Sequence, residues 1–477
     1  MTYKTAIKAP IFDIISKASN ELNLESYVIG GFVRDFFLER GDAKDIDIVT
    51  VGDGIALAKQ VSNFLPTKPK VQFFKTYGTA MLKYNDLEIE FVGARKESYS
   101  AHSRNPKIQQ GTLEDDQNRR DFTINALALS LNSSDFGKLL DPFDGLNDLD
   151  KGIIKTPTDP NVTYSDDPLR MLRAIRFATQ LNFEIESQSL QAIADNKDRI
   201  KIITKERIVV ELNKILESNT PSIGFKLLET TGLLDIIMPE LTALKGVEEV
   251  EGQRHKDNFY HTLEVVDNIS RETNNLWLRW AALLHDIGKA PTKKFDAKVG
   301  WTFHSHEFVG AKMVYQLFKR LKMPLNDKMK FVQKMVLMSS RPIALTTDVT
   351  DAAVRRLVFD AGKHLEDLMT LCEADITTKN PKKFKKYHNN FKRVRQKIVE
   401  VEERDRVRNF QPPISGEEIM KTFQLKPSKE IGVIKEFIKE AILDGDIPNE
   451  YNNAYDLMLK KGKELGLTPQ NLNEKEI

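Results

Sequence analysis

The apolar periodicity of the chain changes near residue 150, and this constrains the fold more than any other feature. Upstream, stretches with a period of two alternate with helical stretches; downstream, nearly every apolar run has helical spacing. Residues 45–51, 79–84 and 87–92 alternate as strands, and Ile11, Ile14, Ile15, Ala18 and Leu22 share one face of a helix over 11–24. Asp141-Pro142 and Asp144-Gly145 are turn signals that close this first unit. Helices are expected over 166–182, 186–196 and 205–217. The pattern predicts an α+β chain with a mixed-sheet head over 1–150 and an all-α neck over 151–245. A histidine-bearing segment follows at 250–378, and a basic stretch with a helical tail at 379–477. No internal repeat is present.

At 477 residues the chain has room for about three domains. Cys372 is the only cysteine, which rules out an internal disulfide, and no apolar run is long enough for a membrane span. The first residues are too polar for a signal peptide, so a cytoplasmic protein with no membrane partner is expected. With a net charge of only +2, a polyanionic partner must be held by local basic clusters.

Three clusters carry chemistry in the first half. In "DIDIV", Asp45 and Asp47 share one face of a strand while Ile46 and Ile48 anchor the other. Paired carboxylates of this kind suit magnesium (Mg2+) shared with substrate phosphates, although an exposed turn explains the same letters. Upstream, "GGFVRD" places Gly30 and Gly31 at a helix start ahead of Arg34, where backbone amides can approach phosphate, or where the chain simply turns. In "RRDFTIN", Arg119 and Arg120 are suited to a triphosphate and Asn125 to a sugar hydroxyl, or the segment is a salt-bridged helix start. In "SDDPLRMLRAIRFA", Asp167 stands where an N-cap belongs and Pro168 at a first helical position. Arg170, Arg173 and Arg176 form a cationic ridge at spacing three.

In this order and spacing these motifs resemble those of the class II CCA-adding enzymes, tRNA nucleotidyltransferases that share ancestry with bacterial poly(A) polymerases. The likeness spans at least residues 27–215. It implies a DNA polymerase β-like nucleotidyltransferase head, tRNA, CTP and ATP as partners, and Asp45 and Asp47 as catalytic metal-binding carboxylates. It further implies a nucleotide site of Gly30, Gly31, Arg34, Arg119, Arg120, Asp121 and Asn125, with Asp167 and Arg170 reading the base and Arg173 and Arg176 beside them. Asp166 departs from the Glu usual in the motif, and Glu90 is a weaker candidate for a third carboxylate. The segment 96–118 looks like the family's flexible loop. An Asp acceptor beside an Arg donor complements the Watson–Crick edges of both cytosine and adenine. Guanine and uracil reverse both, at about 1–3 kcal/mol for each unsatisfied buried group. A bacterial poly(A) polymerase is disfavoured because Gly78 is followed by "TAMLKY" rather than a basic-basic-Phe signature. An alarmone synthetase and hydrolase, which also carries both domain types, would have them in the opposite order.

Five of the eight histidines fall between 255 and 306. "YHTLEVV" with His261, "LLHDIGK" with His285 and Asp286, "FHSHEFVG" with His306 and "CEADIT" with Asp375 resemble the HD phosphohydrolase superfamily. The resemblance implies a divalent transition metal on His261, His285, Asp286 and Asp375; His255 and His304 are left out of the set. Between Lys379 and Lys397 stand nine cations and no acid, with Phe384, Tyr387 and Phe391 interleaved. Lys382, Lys383, Lys385, Lys386, Lys392, Arg393 and Arg395 are candidates for RNA phosphates, and the aromatics are expected to pack against the body.

Overall fold

The computed structural model describes residues 2–41, 44–74, 78–100, 103–250, 252–345, 349–405 and 411–470. They divide into two compact units, Met1–Ala243 with Lys319–Met323, and Leu244–Phe318 with Pro324–Ile477. Among the described residues no helix is long and apolar enough to cross a membrane.

The first unit is built on a mixed sheet. Its strands are β1 (Glu25–Ile29), β2 (Asp45–Val51), β3 (Gln72–Phe74), β4 (Thr79–Tyr84) and β5 (Leu87–Gly93). After a separate hairpin, β6 (Arg95–Ser100) and β7 (Ser103–Gln110), it resumes with β8 (Ala128–Ser130) and β9 (Leu139–Leu140). The order is β3-β4-β5-β2-β1-β8-β9, and β2 pairs in parallel with β5 and antiparallel with β1. Ile46 and Ile48 of β2 are 2% and 0% exposed, so the period-two pattern pins the register that leaves Asp45 and Asp47 on the other face. That face continues into a small apolar cluster of Tyr27, Ile29, Val49, Ala94, Leu113 and Ala128.

Helices α1 (Pro10–Glu21), α2 (Gly31–Phe37), α3 (Gly54–Phe64), α4 (Leu113–Asn118) and α5 (Gly145–Lys151) accompany the sheet. Ile11, Ile15 and Ala18 of α1 are buried as their spacing requires. Segment 96–118, expected as a loop, instead forms the β6–β7 hairpin and α4; Thr112 and Asp115 close a reciprocal capping box that starts this helix. Residues 101–102 of that segment lie outside the described residues.

The helices that follow are α6 (Pro160–Asp166), α7 (Leu169–Leu181), α8 (Ser187–Asn196), α9 (Lys205–Leu216), α10 (Pro221–Thr230), α11 (Leu233–Ile237) and α12 (Pro239–Thr242). Of the helix expected over 166–182, α7 forms Leu169–Leu181, and its start after Asp167-Pro168 agrees with the capping signal read there. Pro168 disfavours helical geometry at the residue before it, and Asp167 is extended at φ −128°, ψ 96°. α7 and α9 are locked by a buried ion pair, Arg176 Nε to Glu211 Oε2 at 3.3 Å, with side chains 7% and 5% exposed.

The second unit is mostly helical, with two short two-stranded antiparallel sheets, Glu249–Val250 with Gln253–Arg254 and Lys294–Asp296 with Gly300–Thr302. It holds α13 (Asn258–Glu272), α14 (Leu276–Leu284), α15 (Lys289–Thr292), α16 (His306–Arg320), α17 (Asp327–Met338), α18 (Arg341–Ala344), α19 (Asp351–Ala361) and α20 (Leu365–Ala374). Then come α21 (Pro381–Asp405), α22 (Gly416–Phe423), α23 (Lys429–Asp444) and α24 (Tyr451–Glu464). Trp280, Leu283 and Leu284 of α14 are fully buried and make this helix its centre.

Removing one member of the Arg176–Glu211 pair leaves the other charged and buried. Glu211→Ala is expected to lower stability by about 3–5 kcal/mol, whereas Arg176→Met with Glu211→Leu recovers most of it. Thermal melting of both variants checks this.

Candidate active site and candidate metal centre

β1 ends in a backbone turn that only glycine makes cheaply. Gly30 has φ +81°, and a Cβ there would lie 3.0 Å from Nη1 of Arg120 and 3.3 Å from Oδ2 of Asp47. The turn opens on a cavity of about 530 Å³ lined by Gly30, Gly31, Arg34, Asp47, Arg120, Asp121, Asn125, Arg173 and Arg176. These sequence-predicted residues are thus brought together. Phe177, Gln180, Lys214 and Glu217, which the sequence reading missed, complete the wall. Asp45, Arg119, Asp167 and Arg170 are not among the lining residues.

Each cavity arginine is already held. Arg34 grips Asp35 with Nε at 2.9 Å and donates to Asn125 Oδ1 at 2.8 Å. Asp116, wholly buried, accepts from both Arg119 and Arg120. Its positions three and four residues ahead of them were a legible helical-spacing signal. Asp121 binds Arg173 Nε at 2.7 Å and accepts from Asn125 Nδ2 at 3.0 Å. Burial alone would raise the Asp121 carboxyl, but the charge of Arg173 and these hydrogen bonds outweigh it and hold it at about 2. The guanidiniums of Arg34, Arg173 and Arg176 lie 4.9, 5.5 and 4.1 Å from the centre of the Phe177 ring. One π face thus gathers three guanidiniums, each of which is also paired with an acid.

The carboxylates on the sheet are less compensated. Parallel pairing sets Asp47 beside Glu90 and Asp45 beside Glu88. The Asp47 carboxyl is raised by burial and by Asp45 and Asp116, against the pull of Arg120. Glu90 is raised by burial and by Asp47. Crowded like charges on an all-oxygen face fit a hard divalent cation, with Asp45, Asp47 and Glu90 available as ligands.

Where α7 begins, capping and availability coexist. Asp167 Oδ1 accepts the Leu169 N–H at 3.2 Å, which leaves its other oxygen unused by the helix. Arg170 donates to the Arg119 carbonyl at 2.6 Å and has further N–H groups to offer.

A second cluster lies in the second unit. His261 of α13, His285 and Asp286 after α14, and Asp375 after α20 converge. His261 Nε2 is 2.8 Å from Asp375 Oδ1, and His285 Nε2 is 3.4 Å from Asp286 Oδ2 and 3.6 Å from Asp375 Oδ1. His306 Nε2 joins at 3.6 Å from Asp286 Oδ1. Ligand atoms of His261, His285 and Asp286 all fall within 4.8 Å of one another. The Nδ1 atoms of His285 and His306 bond the carbonyls of Ala282 and Phe303 at 2.8 and 2.9 Å, which turns Nε2 inward. His285 Nε2 is buried without a hydrogen bond, and mixed imidazole and carboxylate donors around it fit a divalent transition metal. Burial opposes charge on His285, but Asp286 and Asp375 push its imidazole up to about 10. Gly288 explains the glycine of "HDIGK": a Cβ there would meet the His306 carbonyl at 2.0 Å. Lys256 and Lys289, also missed, touch His261 Nδ1 at 2.8 Å and Asp286 at 2.6 Å. His255 is a structural pin, accepting the Glu248 N–H at 3.1 Å and standing edge-on to Trp301.

In the basic stretch, Lys382, Lys383, Lys385 and Lys386 lie on the exposed first turns of α21. Lys392 and Arg393 are exposed further on. Arg395 differs, because Glu373 at 2.7 Å and Glu366 at 2.6 Å neutralise it. Phe391 packs inward as expected, but Phe384 and Tyr387 do not; each is 42% exposed.

Comparison with known proteins is consistent across the chain. A family model described as the poly A polymerase head domain matches residues 26–155, one described as the probable RNA and SrmB-binding site of polymerase A matches 182–245, and the HD domain matches 258–407. The chain is 34% identical over 344 residues to the A-adding tRNA nucleotidyltransferase of Deinococcus radiodurans, covering 70% of this chain and 76% of that protein. It is 31% identical over 371 residues to the multifunctional CCA protein of Alkalilimnicola ehrlichii, covering 74% and 84%. Among solved structures, a CCA-adding enzyme in complex with ATP superposes with a TM-score of 0.64 at 22% identity, over 98% of this chain and 99% of that one. The Thermotoga maritima CCA-adding enzyme complexed with tRNA gives 0.60 at 22% identity, over 96% and 98%.

The Asp121 pair carries a pH signature. Its folded-state pKa of about 2 lies below the unfolded carboxylate value, so its contribution is full near neutral pH and fades as pH falls from about 4 towards 2. Asp121→Asn is expected to remove roughly 2 kcal/mol at pH 7 and progressively less below pH 4. Melting curves of both proteins from pH 3 to 7 test this, and a constant gap would contradict it.

Proposed function

Because the chain belongs to the tRNA nucleotidyltransferase and poly(A) polymerase family, we propose that it adds CCA to tRNA 3′ ends from CTP and ATP without a nucleic-acid template. The observation that carries the reading is the cavity that gathers Asp47, Arg120, Asp121, Asn125 and Arg173 beside the glycine turn. We assign the head to 1–150, the neck with its base-reading region to 151–245, the HD domain to 250–378 and the tail to 379–477, and expect the protein to work in the cytoplasm.

In this proposal the RNA 3′-hydroxyl attacks the α-phosphorus and pyrophosphate leaves. Asp45 and Asp47, with Glu90 beside Asp47, would hold magnesium, which would supply Lewis acidity to the transfer. Arg34, Arg120 and Arg173, fixed before any ligand enters, orient the triphosphate and share its developing charge. Arg119 supports Arg120 through Asp116 and receives Arg170 on its carbonyl. Asp167 and Arg170 present an acceptor and a donor that satisfy cytosine and adenine and leave guanine and uracil mismatched. The exposed cations of α21, from Lys382 to Arg393, are assigned to RNA phosphates, with Phe384 and Tyr387 free to stack on bases.

A second reading, addition of A alone, is favoured by the Deinococcus radiodurans relative of that activity. Transcripts ending before CCA, after C and after CC, each with one nucleotide at a time, separate the readings. CCA addition predicts extension of all three with the matching nucleotide; extension of only the CC-ending transcript, by ATP, supports A addition. Asp47→Ala is expected to abolish extension in either case while RNA affinity changes less than about twofold, as judged by filter binding.

The HD cluster supports a separate proposal, a phosphohydrolase centre with a divalent transition metal on His261, His285, Asp286 and Asp375. His285→Ala with Asp286→Ala is expected to empty it, as read by elemental analysis, and to leave nucleotide addition near wild type. Unchanged metal content would refute the ligand set.

A further inference from the structure

Four of the five cations lining the head cavity are neutralised within the fold. Arg34 pairs with Asp35, Arg120 with Asp116, Arg173 with Asp121 and Arg176 with Glu211. The fifth is Lys214, half-buried in the last turn of α9, and among the described residues no acid forms an ion pair with it. Its placement is not casual. The Arg176–Glu211 pair fixes α9 against α7 one turn earlier, and Gln180 Nε2 then donates to the Lys214 carbonyl at 3.3 Å. One contact therefore docks the helix that carries Lys214 and the other anchors its backbone, and neither uses the amine.

α7 orders the cavity along its length. Arg170 stands on the first turn of the helix, just outside the cavity lining, Arg173 meets Asp121 next, and Gln180 with Lys214 of α9 stands near the end of the helix, about 15 Å beyond Arg170 at 1.5 Å per residue. With a base read at Arg170 and the α-phosphorus near Asp47 and Arg120, the outer phosphates run towards Gln180. A lysine without an ion-pair partner at that end, with Glu217 on the same wall and every cavity arginine already paired, is a charge available to a ligand.

We propose that Lys214 is a further binding residue of this site, whose ammonium takes the terminal phosphates of the incoming nucleoside triphosphate. The inference rests on the nucleotide-addition reading above. Calorimetric titration of wild type, Lys214→Met and Lys214→Arg with magnesium pyrophosphate, ATP and AMP tests it, beside KM for nucleotide and for tRNA. Lys214→Met is expected to weaken pyrophosphate and ATP about five- to tenfold, the loss of one charge-assisted contact, with AMP and tRNA unchanged and Lys214→Arg restoring most of the affinity. Equal pyrophosphate binding by wild type and Lys214→Met, absence of binding by wild type, or a loss confined to tRNA overturns it. Should Lys214→Met melt at a lower temperature, Lys214→Gln repeats the comparison. Wild-type protein that extends no transcript would overturn the addition reading alone, because pyrophosphate binding still decides Lys214.

Discussion

The buried carboxylate of Asp121 is the hinge on which the head site depends. It faces Asn125 within the head and Arg173 on α7, so one side chain joins the sheet-bearing part of the first unit to the helix that lies across it. Desolvation makes such a group costly unless every lone pair is used, and here the Phe122 N–H, Asn125 and Arg173 use them. Asn125 passes the order on to Arg34, and Arg34 to Asp35. The alignment of the cavity follows from this chain of contacts.

The two candidate centres solve the same electrostatic problem with different atoms. On the sheet, carboxylates crowd one face in its middle, where β2 and β5 run in parallel, and supply only oxygen. In the helical unit, imidazoles are interleaved with carboxylates, and backbone carbonyls dictate which ring nitrogen faces inward. The two donor sets differ in the class of cation they suit, hard on the sheet and borderline in the helical unit.

How much was legible in the sequence depended on whether the signal was local. Asp45 and Asp47 were readable because a period of two with buried isoleucines admits one register. The histidine cluster was readable from motif letters. The partnership of Glu90 with Asp47 was only a weak suggestion, since parallel register is set by tertiary pairing. Lys214 and Gln180 were invisible because their place depends on how α9 docks on α7. Arg395 looked like its neighbours until Glu366 and Glu373, far upstream, were found beside it. The start of α7 at Asp167-Pro168 was readable because capping and the proline rule are both local signals.

Phe177 has a consequence for energetics. Because one aromatic face and a set of internal acids immobilise the arginines as the chain folds, their rotamer entropy is lost before a nucleotide arrives. The cavity walls are therefore stiff, with little reorganisation left for an occupant to exploit. A cavity of this kind discriminates by a fixed shape and a fixed donor pattern, and an ill-fitting ligand finds no alternative arrangement to settle into.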